Sequence, residues 1–479
     1  MCAATRTWDP IRTSPTVCRS SERRCKPSRP PSAVPPCSSL TNRLRQGRRS
    51  MRLEIGTFPV HNVVFGAQTQ WRDGLLELAR DEILDAVRSD PRIAKADLEL
   101  AKPGESVRIW PVRDVVEPRV KVEGPGVVYP GICGRSITTV GEGRTHRLSG
   151  VGVVEVSETP WHESGGDHLF VYLDMAGPWS EIIPTSSLNN LCVVVEPDPN
   201  LGVDARNDAV HNAVLTVSDR LAAATAHLDP PERETFELTD VDPSLPKVVY
   251  ILCLHSPQAM SGSPATFCTS TYGLTQLTPP WLFHPNEILD GAITGPYRTA
   301  FATSWTMANN PALLDLYRRH GTDFNFLGVI ATRTEWTTQH EKEMTANQTA
   351  KVAKMLGAEG ALITWDAGGN EFIEVIRTLQ ACERSGIKTV FLTSEDDPTG
   401  SAPTMLEPVP EADAIVSTSF FRADLLGLDP LPPVDRVIGN PQKISGRLRD
   451  HYVPTAGPLP TPWRFDDHYG FSKLSSVEY

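Results

Sequence analysis

The residues best placed to do chemistry fall in three stretches. The first is Thr364-Trp365-Asp366-Ala367-Gly368-Gly369-Asn370, which follows a strand-like run and opens a helix-like one. At the carboxyl edge of a parallel sheet, a loop of this kind meets ligands. Gly368 and Gly369 let backbone N–H groups approach an anion, and a helix N-terminus favours negative charge. Asp366, Gly368, Gly369 and Asn370 are therefore candidate binding residues, against the plainer reading of a turn and helix cap. The loop is neither G-x-G-x-x-G nor a Walker loop, so no nucleotide is expected. The second stretch is the basic set Arg108, Arg113, Arg119, Lys121, Arg144 and His146. It could hold a substrate carboxylate, for which arginine offers a bidentate fork. It could equally pair with Glu105, Asp114, Glu117 and Glu123 along strand surfaces. The third runs from His162 to His168 with Glu163 and Asp167. Two histidines and two acids can ligate a metal, but this is a Gly-rich turn of ordinary polarity, and no metal is expected. No Ser-His-Asp arrangement can be recognised from spacing.

The elements that must position these residues differ along the chain. Met51–Phe58 and Val60–Phe65 read as strands, and the spacing of Leu75, Leu78, Ile83 and Val87 predicts a helix. Residues 95–175 are rich in Val, Gly and Pro, which predicts short strands joined by tight turns. A long helix is expected over Asp204–Leu228, stopped by Asp229-Pro230-Pro231. An acidic linker follows, to Pro246. From Lys247 the pattern alternates. Strands are expected at Val248–Leu254, Phe326–Ala331, Ala361–Thr364, Thr389–Thr393 and Ala414–Ser417. Helices are expected at Pro311–His320, Glu341–Leu356 and Glu371–Ser385, with Asn309 or Asn310 as a cap and with Gly357 and Gly386 as stops. The expected fold class is α/β: a β-rich N-terminal unit followed by a doubly wound, mostly parallel α/β unit. The expected divisions are a leader (1–50), the β-rich unit (51–240), the α/β unit (247–430) and a proline-rich tail (431–479).

Composition limits the function. Residues 1–50 carry eleven Arg or Lys against Asp9 and Glu22, a charge of +9, which leaves −21 on the remainder of a total of −12. Nothing in this leader could bury a core. It reads as a disordered tail, a transit peptide, or an upstream stretch translated before a true start at Met51. An acidic body lacks the basic footprint of a nucleic-acid binder and suits a cytoplasmic protein. No run approaches the length of a transmembrane helix. The body's cysteines are Cys133, Cys192, Cys253, Cys268 and Cys382. They are odd in number and form no C-x-x-C pair, so buried free thiols are expected rather than disulfides or zinc.

Several runs then resemble one family. They are Met51-Arg52-Leu53-Glu54-Ile55-Gly56, Lys102-Pro103-Gly104-Glu105-Ser106-Val107-Arg108-Ile109 and the ten residues from Val115 to Gly124. Gly143-Arg144-Thr145-His146, Asp174-Met175 with Gly177-Pro178, and His284-Pro285 running into Asp290-Gly291-Ala292-Ile293 follow. Asn309-Asn310-Pro311 with Leu316-Tyr317-Arg318-Arg319-His320-Gly321 completes the series. Together they resemble the component B proproteins of glycine, sarcosine and betaine reductases, in order, over about residues 51–450.

The resemblance implies a proprotein cut at an internal cysteine, which becomes a pyruvoyl group at the new N-terminus. A ketone so placed is an electron sink that can react with an amine. It implies as partners a thiol- or selenol-bearing component B subunit, which attacks the α-carbon of a small amine or carboxylate substrate, and a small carrier, component A. It implies neither nucleic acid nor membrane. The stretch between Ile293 and Asn309, where the cut should fall, holds no cysteine. Ser304 could replace it, because a hydroxyl can perform the same acyl shift; Thr299 or Thr303 would give a 2-oxobutyryl group. Otherwise the chain is uncut and serves as a non-catalytic binding or scaffold subunit; a third alternative is an enzyme complex acting on another C–N or C–S bond. On this resemblance Arg119, Arg144 and His146 are the expected carboxylate contacts, followed by Asn309, Asn310 and the loop from Asp366 to Asn370.

Overall fold

A computed structural model describes residues 51–159, 171–255, 270–274, 280–295, 303–335, 337–365, 371–395, 408–420, 432–439, 469–471 and 477–478. The candidates Thr299, Asp366, Gly368, Gly369 and Asn370, the His162–His168 turn and Cys268 lie outside the described residues.

The N-terminal half is built from two main sheets and a small three-stranded one of Asn62–Phe65, Leu75–Leu78 and Gln70–Arg72. The strands of the main sheets are β1 (Arg52–Pro59), β2 (Ile93–Ala101), β3 (Val107–Val116), β4 (Arg119–Glu123), β5 (Gly143–Ser149), β6 (Val151–Val156), β7 (Val171–Asp174), β8 (Asn189–Pro197) and β9 (Glu232–Glu237). One main sheet runs β9-β1-β5-β4 and the other β7-β3-β6-β8-β2. The long helix α1 (Val203–Ala223) covers this half, burying Val210, Val214, Val217 and Leu221. Every residue of β3 is buried, so both of its faces are packed.

The second half is a sheet with helices on both faces. Its strands are β10 (Lys247–His255), β11 (Trp281–Phe283), β12 (Asn325–Thr334), β13 (Gly360–Trp365), β14 (Lys388–Glu395) and β15 (Ile415–Phe420). Later in the chain come β16 (Arg436–Ile438) and β17 (Val477–Glu478). The order is β11-β12-β10-β13-β14-β15-β17, with β12, β10, β13, β14 and β15 parallel. The chain starts in β10, steps to β12 on one side and returns to β13 on the other. The helices are α2 (Pro285–Leu289), α3 (Ser304–Ala308), α4 (Pro311–Arg319), α5 (Gln339–Leu356) and α6 (Glu371–Arg384). Alternation along β10 sends Val249, Ile251 and Cys253 to the face covered by α5 and α6. Tyr250, Leu252 and Leu254 go to the face covered by α4. Asn310 caps α4, and Thr338 and Glu341 form a capping box on α5. Gly357 ends α5 in the left-handed conformation.

Two expectations are corrected. Leu75–Val87 is not one helix but a strand, Leu75–Leu78, followed by a helix, Arg80–Arg88. Leu76 and Leu78 are buried while Leu75 is exposed, a period of two that the wider spacing concealed. The stretch read as a linker contains β9, an antiparallel edge strand on β1. Its first four residues are exposed, so no apolar alternation announces it. The tail also carries strands: β16 pairs with β3 and β17 with β15.

Residues from Ser50 onward form one compact unit. Leu53, Ile55 and Phe236 of the N-terminal half share a core with Tyr250, Leu252, Leu313, Phe326 and Val329 of the second. Leu53→Ala should therefore destabilise both halves together, by about 2–5 kcal/mol. Urea unfolding followed by far-UV and near-UV circular dichroism checks this: coincident, equally shifted transitions are expected, and separate ones would show two independent cores.

Candidate functional site

Ser304 carries a hydroxyl held on several sides. It is the first residue of α3 and is fully buried. Its Oγ donates to Asp114 Oδ2 at 2.6 Å, and its backbone N–H donates to Asp114 Oδ1 at 2.8 Å. Gly295 N–H donates to the same Oγ at 3.1 Å. The carbonyl of Thr303, the residue before it, is also held. It accepts the Thr306 hydroxyl at 2.7 Å and the Met307 N–H at 3.0 Å. Thr303 caps the helix through its side chain, which accepts Thr306 N–H. A hydroxyl, a carboxylate and a polarised carbonyl thus stand together.

Asp114 is placed by a break in β3. Val112 pairs with Val156 and Asp114 with Glu155, so two steps on β3 match one on β6 and Arg113 bulges. A bulge of this kind re-aims the side chains beside it. Behind Asp114 lies a buried polar row. Glu155 accepts His211 Nδ1 at 2.8 Å and faces Arg113 Nε at 3.3 Å, and Arg113 also donates to Asn207. Burial pushes the Asp114 carboxyl up to about 6, helped by Glu155 and opposed by His211 and the two Ser304 hydrogen bonds.

The basic set is spent on internal pairs. Arg108 makes a bidentate pair with Asp174, both fully buried. Arg119 pairs with Glu117 and donates to the carbonyls of Leu289 and Ala308, the last residues of α2 and α3, and to Asn309 Oδ1 at 3.4 Å. Lys121 pairs with Asp290, which also accepts Gly141 N–H and the Thr145 hydroxyl. Arg144 pairs with Glu54 and keeps about a third of its side chain exposed. His146 is buried with Nδ1 on the Thr225 carbonyl at 2.9 Å, and burial holds its pKa low. Asn309 accepts Arg147 at 3.0 Å, and Asn310 donates to the Tyr250 hydroxyl at 3.1 Å. Arg119 and Asn309 are brought together; Arg144 and His146 point to other partners.

The family of glycine/sarcosine/betaine reductase component B subunits matches residues 51–450. The chain belongs to that family. It is 36% identical over 401 residues to the sarcosine reductase complex component B subunit alpha of Peptoclostridium acidaminophilum, covering 81% of this chain and 89% of the relative. It is 33% identical to the glycine reductase complex component B subunits alpha and beta of the same organism, covering 82% and 91%. The betaine reductase complex component B subunit alpha is 33% identical, over 80% and 87%. No solved structure matches the chain significantly.

Sequence reasoning missed one further group in this family member, at the carboxyl edge of the parallel sheet. His255 ends β10 and lies 3.4 Å from Glu371 at the start of α6. Lys342 on α5 is buried, donates to the Glu335 carbonyl and lies 3.8 Å from Glu374. Arg333 pairs with Glu335 at 3.0 Å. Burial lowers the Lys342 pKa and raises Glu374 to about 7. These charges come from four separate elements, and no short motif joins them. Among the described residues no cluster could hold a metal, and Cys133, Cys192 and Cys382 are free thiols.

The Asp114 shift has a measurable consequence. Its folded pKa lies above the unfolded value, so between about pH 4 and 6 the unfolded chain has released a proton that the folded chain keeps. Stability at this site is therefore full below pH 4 and falls as pH rises through 6, by about 3 kcal/mol. Asp114→Asn should lose that slope. Urea midpoints of both proteins at pH 4.5 and 7.5 check it, and parallel pH dependences would show that Asp114 titrates as an ordinary carboxylate.

Proposed function

We propose that this chain is a component B subunit of an amino-acid-reductase complex, and that it is a proprotein opened between Thr303 and Ser304, with Ser304 as the source of a pyruvoyl group. The observation that carries this reading is the paired hold of Asp114 on Ser304 Oγ and N–H, beside a Thr303 carbonyl held by two donors. The relatives support it. The glycine reductase relative's name covers two subunits, alpha and beta, in one chain.

The residues present fit the group. Serine carries the β-oxygen that the rearrangement needs and, unlike Thr303, leaves a methyl ketone. Once formed, the group supplies an electron-poor carbonyl able to take up an amine. The chain's own part is to bury Ser304 completely, exclude bulk water around it, and hold α3 in place through Arg119 and Asp114. The substrate is a small amine or carboxylate whose C–N bond is cleaved reductively. The attacking thiol or selenol comes from a partner subunit, and a small carrier takes the product. Of the three expected carboxylate contacts, Arg144 retains solvent access and is the one able to meet a substrate or partner anion. No helix is long and apolar enough to cross a membrane among the described residues.

Intact-mass spectrometry of the protein from its native host tests the reading. Two pieces meeting at Thr303–Ser304 are expected, the second lighter by one ammonia than a serine-ended chain and reactive toward hydrazines. A single uncut chain, or a junction at Thr299, would remove Ser304 from this role and leave a binding or scaffold subunit.

A further inference from the structure

We infer that Asp114 is the proton carrier of this self-cleavage and that the Thr306 hydroxyl and Met307 N–H form its oxyanion site. The inference rests on the reading of Ser304 as the cleavage residue, and goes beyond it by naming the machinery.

The geometry assigns each part. An N-to-O acyl shift needs four things: a base on the nucleophile, an acid on the departing nitrogen, donors on the carbonyl oxygen, and exclusion of competing water. Asp114 Oδ2 lies 2.6 Å from Ser304 Oγ and can take its proton. Asp114 Oδ1 lies 2.8 Å from Ser304 N, the atom that must be protonated as the C–N bond breaks. One carboxyl group therefore serves both ends of the same transfer. The Thr303 oxygen, on which negative charge develops, already accepts the Thr306 hydroxyl at 2.7 Å and Met307 N–H at 3.0 Å. Gly295 N–H, at 3.1 Å from Oγ, stabilises the alkoxide as it forms.

The bonds balance without a co-reactant other than water. Ser304 Oγ attacks the Thr303 carbonyl carbon while its proton passes to Asp114. The tetrahedral oxyanion collapses, the bond from the Thr303 carbonyl carbon to Ser304 N breaks, and Asp114 returns the proton to nitrogen. The product is an ester with a free amino group at residue 304. The Cα proton passes to water as the Thr303 carboxylate departs from Cβ, leaving an enamine. Water then replaces its nitrogen, releasing ammonia and leaving the ketone. No electron is gained or lost.

The helix context supplies the rest. Thr303 has extended backbone angles and Ser304 helical ones, so the scissile bond lies at the junction of strand-like and helical chain. The Met307 N–H is the first hydrogen bond of the α3 ladder. Thr306 is fully buried with its hydroxyl turned onto the same oxygen.

The test uses the full chain expressed and purified, with cleavage followed by intact mass and with folding checked by circular dichroism. Wild type is expected to be cut at Thr303–Ser304, and Ser304→Ala to stay whole. Asp114→Asn should slow the cut by about 10²–10⁴-fold, the range of a positioned base. Thr306→Val should slow it by about 10²–10³-fold, the range of one oxyanion donor. Ser304→Cys in the Asp114→Asn background should recover at least about tenfold, because a thiol ionises far more readily than an alcohol and depends less on a base. A merely structural Asp114 would give no such rescue. Wild type cut at Thr303–Ser304 with Asp114→Asn cut equally fast would overturn this inference and leave the Ser304 reading standing. So would a folded double variant that remains whole. Wild type uncut, or cut elsewhere, would overturn both.

Discussion

The second half of this protein meets the first through a shared apolar core and through buried charge on one short segment. The chain from Pro285 to Asn309 carries α2 and α3, and it is gripped at three points by N-terminal strands. Asp114 of β3 takes the front of α3, Arg119 of β4 takes the ends of both helices, and Lys121 takes Asp290. Each grip joins residues roughly 170 to 190 apart in sequence. Charges so placed are costly to bury and stable only when fully paired. Here the pairing is what fixes the segment's register, because no apolar contact specifies position as narrowly as a two-point hydrogen bond. Removing one partner leaves the other stranded in a dry interior, which makes these contacts all-or-none.

The same constraint explains why the buried arginines are poor candidates for a substrate grip. A guanidinium that already meets a carboxylate and two carbonyls has few donors left to offer. Arg119 is of this kind, and Arg108 commits its fork to Asp174 and to the Pro432 carbonyl. Chemical freedom lies instead where a carboxyl group is poised near neutrality, as at two places among the described residues. Asp114 faces a hydroxyl, and Glu374 faces a lysine across the parallel sheet's edge. Both are carboxyl groups whose dry surroundings bring their proton release toward neutrality.

Much of the fold was legible because its signals are local. Strand and helix alternation after Lys247 follows from period and punctuation, and Gly357 and Gly386 stop their helices with positive φ as expected. The helix over Val203–Ala223 is announced by its apolar stripe and the prolines beyond it. The proposed site is legible only in half. Ser304 was reached through family resemblance and the missing cysteine. Asp114 was weighed only as a strand charge beside arginines, because β3 is buried on both faces and carries no alternation to separate its polar residues. Its true partner lies 190 positions away, and no pattern within one sequence reports that distance. The edge strand β9 was missed for a related reason. Its exposed, acidic residues look like a linker until their backbone is seen paired with β1.

The strand β16 hydrogen-bonds in parallel to β3, and it lies on the far side of Ser304 in the chain. The core around Leu53 and Tyr250 likewise draws from both sides of that residue. A break at Thr303–Ser304 would therefore not release two bodies. It would leave an interwoven pair, each piece completing a sheet or core of the other. Two subunits made this way are born in equal number, already matched, and never meet as strangers. Their stoichiometry is a property of the gene rather than of an affinity, and neither needs a stable folded state of its own.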